Sequence, residues 1–218
     1  MDPELIDAVV VCIAKRLADL PPAAAALPGI PVGVSKRHVH LSANDAAVLF
    51  GAGRALTKVK DLKQTGEFAA AETVTLVGPR GVIPGVRVLG PLRRVSQVEL
   101  SRTDSFLLGI VPPVRDSGQL AGSAGVALVG PAGTLTMKEG VIVAARHIHM
   151  SVEDAAAYGV ADGDRVSLEV PGQRSVCFRN VLVRSGAGFR LEFHVDTDEA
   201  NAAGLKNGDL VSLVGVGG

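Results

Sequence analysis

Short apolar runs, many alternating with polar residues, follow one another along most of the chain and are punctuated by glycine and proline. Glu72–Pro79 (ETVTLVGP), Gly85–Pro91 (GVRVLGP), Val126–Pro131 (VALVGP) and Arg174–Val183 (RSVCFRNVLV) each predict a short β-strand bounded by a turn. A helical period stands out at the start. In Met1–Leu20, Asp2 can cap and Pro3 suits the first helical position, and Ile6, Val9, Ile13, Leu17 and Leu20 recur at intervals of three and four. An amphipathic helix is predicted over 1–20, followed by a Pro/Ala linker over 21–30. Such a helix either packs on its own domain or serves as a detachable peptide for a partner.

One string occurs almost twice. Ser35–Ala47 reads SKRHVHLSANDAA and Ala144–Ala156 reads AARHIHMSVEDAA; with Arg37 set on Arg146, an Arg, two His, a Ser, an Asp and two Ala coincide. A looser pattern extends this: a metal-capable residue, an apolar residue, Ser or Asp, and an acid three positions later. It fits His40–Asp45, Glu99–Asp104, His149–Asp154 and His194–Glu199. An apolar strand-like segment precedes each copy, and the Ser or Asp with its acid matches a capping box. Gly159–Leu168 (GVADGDRVSL) and Gly204–Leu213 (GLKNGDLVSL) add a shared Gly-Asp turn and Val-Ser-Leu strand. Two halves are therefore predicted, 31–118 and 119–218, each of two strand–helix–turn–strand units. Helical runs are too few for a doubly wound sheet. The fold class predicted is mainly β with short helices: two small β-barrels related by internal duplication, plus the N-terminal helix.

The chain of 218 residues is long enough for such a pair of cores. Apolar residues make up 47% and aromatics 3%, with 26 Gly and 12 Pro, which suits many turns and short strands. Lys plus Arg and Asp plus Glu both number 22, so no net field recruits nucleic acid or an anionic membrane. Cys12 and Cys177 form no disulfide framework and read as buried small hydrophobes in a reducing compartment. The acidic N-terminus is unlike a secretory signal, and no apolar run approaches the roughly 18 residues of a membrane span. A soluble, intracellular protein is expected.

Residues i and i+2 of a strand point the same way, so His38 with His40, and His147 with His149, each aim two imidazoles at one side. Paired imidazoles on a strand suit a divalent metal such as Zn²⁺. The alignment of units supplies a third donor to each pair: Glu99 beside His38 and His40, His194 beside His147 and His149. Three protein donors leave positions open for substrate, the pattern of a catalytic site. A lone HxH pair would as readily be a surface-strand feature; its duplication in matching context argues for two metals. Arg87, Arg93, Arg94 and Arg102 flank Glu99, and Lys58, Lys60 and Lys63 lie in the same half. Arginine's planar fork matches phosphate oxygens, and Arg93, six residues before Glu99, is the favoured one. A metal site with a basic rim suggests a phosphate-bearing substrate.

Ile30–Ser42 (IPVGVSKRHVHLS), Gln97–Asp104 (QVELSRTD), Gly109–Gly118 (GIVPPVRDSG) and Val141–Ser151 (VIVAARHIHMS) together resemble the PduL-type phosphotransacylases, the phosphate propanoyltransferases. The resemblance runs from about Pro31 to the C-terminus. It implies a two-barrel, dizinc enzyme exchanging coenzyme A and inorganic phosphate on a short acyl group, with propanoyl-CoA or acetyl-CoA as substrate. It carries the metal ligands onto His38, His40 and Glu99, and onto His147, His149 and His194, and the basic catalytic residue onto Arg93. It further implies coenzyme A contacts at Ser35, Lys60, Arg87, Leu89 and Asn201. Direct attack of phosphate on the thioester is expected, since no Ser-His-Asp or Cys-His set is visible. Members of this family often serve bacterial microcompartments through an N-terminal amphipathic peptide, which Met1–Leu20 matches; the compartment lumen or the cytoplasm is the location implied. A homodimer is the expected assembly, with shell or enzyme partners through the helix.

Two rivals remain at this stage. A metal-dependent hydrolase also uses HxH on a strand but needs a further acid beside a metal-bound water, and none stands out. A non-catalytic cupin-like barrel would use His147, His149 and Glu153, which have the spacing for it.

Overall fold

The computed structural model describes residues 27–217. The helix expected over Met1–Leu20, the linker up to residue 26 and Cys12 lie outside the described residues. The first half holds β1 (Ile30–Ser35), β2 (His38–Ser42), α1 (Ala43–Phe50), β3 (Lys58–Asp61), β4 (Phe68–Val77), β5 (Val82–Arg93), β6 (Gln97–Glu99), α2 (Arg102–Leu108) and β7 (Val114–Arg115). Then come β8 (Ala124–Val129), β9 (Thr134–Ala144), β10 (His147–Met150), α3 (Val152–Tyr158), β11 (Arg165–Val170), β12 (Val176–Ser185), β13 (Glu192–Asp196), α4 (Thr197–Ala203) and β14 (Leu210–Val216). The chain is mainly β with short helices, and none of the described helices is long and apolar enough to cross a membrane.

Two closed six-stranded barrels result. In one, β4, β5, β2, β6, β9 and β8 pair in that order and β8 returns to β4; β3 and β7 extend it at β4 and β9. In the other the order is β1, β13, β10, β12, β11, β14, closing on β1. Strand directions match across the two. β2 is antiparallel to β6 and parallel to β5, as β10 is to β13 and β12. β6 is parallel to β9 as β13 is to β1.

Sheet membership departs from a division at 118 and 119. β1 belongs to the second barrel, while β8 and β9 complete the first. The chain crosses between barrels in the two residues before each HxH strand, Lys36-Arg37 and Ala145-Arg146. A two-residue link cannot return the chain as a parallel neighbour in one sheet, so β2 and β10 each start in a different barrel from the strand before them. The cores follow the same exchange. Ile30 and Val32 pack with Ile148, Met150, Phe178 and Phe193, whereas Val126, Leu128 and Val141 pack with Val39, Leu41 and Val88.

Local chemistry starts each helix where the repeat predicts it. The Ser42, Ser101 and Ser151 side chains accept from the backbone N–H of Asp45, Asp104 and Asp154, and Asp196 accepts from that of Glu199. At Ser101 and Ser151 the acid reciprocates, completing the box. Alternation also places Cys177: Phe178 enters the second core, so Cys177 on the same strand faces out and is exposed, not buried as expected.

Candidate active site

Pleating decides which way the histidines face. Val39 and Leu41 of β2 enter the first core, so His38 and His40 project from the opposite side; Ile148 and Met150 of β10 do the same for His147 and His149. Register then delivers the third donor. His38 lies across from Glu99 on β6, and His147 across from His194 on β13. In each triad one donor atom per residue lies within 4.8 Å of the others. The imidazole pairs are alike, with centroids 4.9 Å apart for His38–His40 and 4.7 Å for His147–His149.

Backbone carbonyls orient the first ring of each pair. His38 Nδ1 is 2.8 Å from the Lys36 carbonyl and His147 Nδ1 is 2.8 Å from that of Ala145, which leaves Nε2 facing the site. His38 Nε2 lies 3.5 Å from Glu99 Oε2, and His149 Nδ1 lies 3.3 Å from His194 Nε2. His40 Nδ1 is buried with no hydrogen-bond partner. An orphaned imidazole nitrogen next to a carboxylate is the donor set a divalent cation fits.

The electrostatics keep these rings ready to coordinate. Burial, then the neighbouring His38, lowers His40 to about 3. Burial, then His194, lowers His147 to about 4, and burial with His147 lowers His149 to about 2. All three are neutral at neutral pH, the form that binds metal. Burial alone would raise the Glu99 carboxyl, but His38, His40, His147 and Arg93 bring it below its ordinary value. The residues of both triads line the same cavity, so the triads face each other across it. That cavity, of about 850 Å³, is built from the two barrels.

Arg93 lines this cavity. Its guanidinium donates to Ser117 Oγ (3.3 Å) and Glu67 Oε1 (3.2 Å). Ser35, Lys60, Arg87 and Leu89 line it too; Arg87 and Leu89 sit on β5 in register with His38 and His40. Asn201 does not: it lies on α4 with its side chain exposed, outside the cavity wall. Glu153 is exposed on α3 and joins neither triad, so the cupin-like set of His147, His149 and Glu153 does not form. Of the other basic residues, Lys63 reaches the cavity and pairs with Glu192 (3.6 Å), whereas Lys58 pairs with Asp61 (2.5 Å) and Arg94 is exposed. Arg102 lines a separate, smaller pocket.

Sequence reasoning missed several residues. Gln97 donates to Glu99 Oε1 (2.6 Å) and to Ser117 Oγ (2.8 Å), holding the carboxylate. Glu192, in the equivalent position of β13, lies 3.0 Å from His194 Nε2. Both stand two residues before a third donor, so the strand period that paired the histidines could have found them. An alanine-sized side chain at Gly33 would meet the Glu192 carboxyl at 2.7 Å, which explains that glycine on β1. Ser117, Gln64 and Phe189 sit in loops without a local signal.

Gln64 joins the barrels. Only 5% exposed, it donates to the Arg190 carbonyl and accepts from the Arg190 N–H, both at 3.1 Å. Gln64→Ala is expected to destabilise the protein by about 1–3 kcal/mol, because two backbone groups lose their partner. Urea denaturation checks this, and an unchanged midpoint would show that the clasp contributes nothing.

Comparisons with known proteins converge on one family. The family described as phosphate propanoyltransferase matches residues 31–206. The phosphate propanoyltransferase of Thermotoga maritima is 59% identical over 188 residues, 86% of this chain and 90% of its own. That of Rhodobacter capsulatus is 55% identical over 184 residues, 84% and 86% of the two chains. That of Citrobacter koseri is 50% identical over 215 residues, 98% of each.

Proposed function

The chain belongs to the phosphate propanoyltransferase family and is an acyltransferase, and from that premise we propose that its cavity transfers a short acyl group between coenzyme A and inorganic phosphate at a two-cation site. The observation that carries the reading is the meeting of both triads and Arg93 in one cavity between the barrels. His38, His40 and Glu99 would hold one divalent ion, zinc in first place, and His147, His149 and His194 the other. Bound there, such ions supply Lewis-acid polarisation of a thioester carbonyl or a hold on the attacking phosphate.

The chain's own residues do the rest. Arg93 presents a guanidinium fork to phosphate oxygens, and Glu67 and Ser117 fix its direction. A phosphate oxygen forms the new bond to the thioester carbonyl carbon while the carbon–sulfur bond breaks and coenzyme A leaves as thiolate. Ser35, Lys60, Arg87 and Leu89 line the approach and would take coenzyme A. Holding both reactants in one cavity is itself worth up to about 7–11 kcal/mol of barrier. The five histidines of the chain are all accounted for in the triads, which leaves the Ser117 hydroxyl without an imidazole base; its partners are Gln97, Arg93 and Glu99. These contacts support direct attack.

The test is release of CoA from propanoyl-CoA and acetyl-CoA with and without phosphate, the acyl phosphate being trapped with hydroxylamine. Release that depends on phosphate is expected, and Arg93→Ala should raise the KM for phosphate about 10–100-fold, the worth of a charge-assisted pair, with that for acyl-CoA little changed. A trapped acyl-enzyme would overturn direct attack. One observation favours hydrolysis as a second reading: Glu192, whose carboxyl the His194 contact and Lys63 draw below its ordinary value against the effect of burial, stands where an acid could act on water. Release of CoA without phosphate would select it.

A further inference from the structure

The acyl group brings an alkyl end into a cavity whose walls mix charged side chains, Lys60, Lys63, Arg93, Arg184 and Glu192 among them, with apolar ones such as Leu62 and Leu89. Phe189, in the loop between β12 and β13, is the one phenyl ring lining it. That ring stacks on His149, with centroids 4.4 Å apart and planes 23° from parallel. His149 belongs to the second donor triad, so the ring adjoins one of the two places where an ion would be held.

The loop is held on both sides of Phe189. The Phe189 N–H donates to the Gly186 carbonyl (3.1 Å), and the Gly186 N–H donates to that of Met150 (3.1 Å), at the end of the HxH strand. The next residue, Arg190, is fastened by Gln64. A half-buried phenyl ring fixed in this way keeps apolar surface turned to the cavity, surface that an alkyl chain would remove from water.

We infer that Phe189 is the specificity-determining contact for the alkyl end of the acyl group, so that the apolar surface its ring leaves to the cavity beside the donor triad sets the preferred chain length. This rests on the acyl-transfer reading. One methylene in an apolar pocket is worth roughly a 10–200-fold discrimination, and truncating one wall of such a pocket removes part of it. With saturating phosphate, kcat/KM is measured for acetyl-, propanoyl- and butanoyl-CoA on the metal-loaded wild type, Phe189→Ala and Phe189→Leu, the last keeping an apolar body should the alanine variant fail to fold. The variants are expected to shift the propanoyl/acetyl ratio by about 3–10-fold and to raise butanoyl relative to propanoyl, with the bound-ion content unchanged. A uniform loss on all three thioesters, or ratios within about twofold of wild type, would overturn the inference while leaving acyl transfer standing. Absence of phosphate-dependent CoA release in the wild type would overturn both.

Discussion

On the two-ion proposal, replacing His147 with alanine is expected to lower phosphate-dependent release of CoA by at least about 10²-fold, and toward 10³-fold, because one donor to a charge-stabilising centre would be lost outright. The ring is placed by two separate devices, the β10–β13 register opposite His194 and the Ala145 carbonyl on Nδ1. Without it, two of the three donors of that triad remain, His149 and His194. The variant should retain the first ion and lose much of its affinity for the second, so elemental analysis should fall from two ions per chain toward one. Glu153→Ala is the matched control. Glu153 has the spacing of a cupin-like ligand, yet it lies exposed on α3 away from the triads, and its removal should leave both activity and ion content near wild type. Activity of His147→Ala within about tenfold of wild type, with two ions retained, would remove this residue from the site.

The second large effect is acid lability of the metal-stripped protein. His40, His147 and His149 are lowered to about 3, 4 and 2 in the folded chain, against about 6.5 when unfolded. As pH falls, the unfolded chain therefore takes up protons first. Stability is intact above about pH 6.5 and declines as pH drops toward the folded values, each histidine contributing up to about 1.4 kcal/mol per pH unit. His40, 3% exposed, should give nearly the full slope; the more exposed His147 and His149 give a screened share. Carboxyls modify the lower end. Glu99 and Glu192 lie below their ordinary values and add to the loss, whereas Asp196 and Glu199, raised by burial, oppose it near pH 4–5. The fall is expected to set in near pH 6.5 and to be steepest around pH 5. Urea midpoints of chelator-treated protein at pH 7, 6 and 5 measure it. A bound ion should offset the loss by mass action, so zinc-loaded protein serves as comparison; a midpoint that is flat or rises on acidification would contradict the burial of neutral imidazoles.

Much of this was legible locally. A two-residue period is enough to place Val39 and Leu41 inside and His38 and His40 outside, and a Ser followed by an acid is enough to start a helix after the strand. The duplication added Glu99 and His194, because matched strands take up matched registers. Other parts depended on long-range closure. That β1 pairs with β13 and β14 is decided by which barrel has a gap of the right shape, and no residue within β1 encodes it. Ser117 meets Gln97 and Glu99 only because the loop after β7 folds back over β6. Cys177 was misplaced by its residue type: cysteine is usually buried, but its strand parity is set by Phe178.

The crossing of β1 and β9 bears on how wide the cavity can open. Were the barrels tethered by a flexible linker, they could swing apart like a clam shell. Instead two connections of only two residues each, Lys36-Arg37 and Ala145-Arg146, tie the end of β1 to β2 and the end of β9 to β10. Links this short at two points leave no slack for a wide rigid-body opening, so the two faces of the cavity stay close. At the cavity wall the stretch 61–67 adds a third tie, where Gln64 buttons to Arg190. The barrels are pinned to each other at two seams and a clasp, like a book sewn and not merely glued.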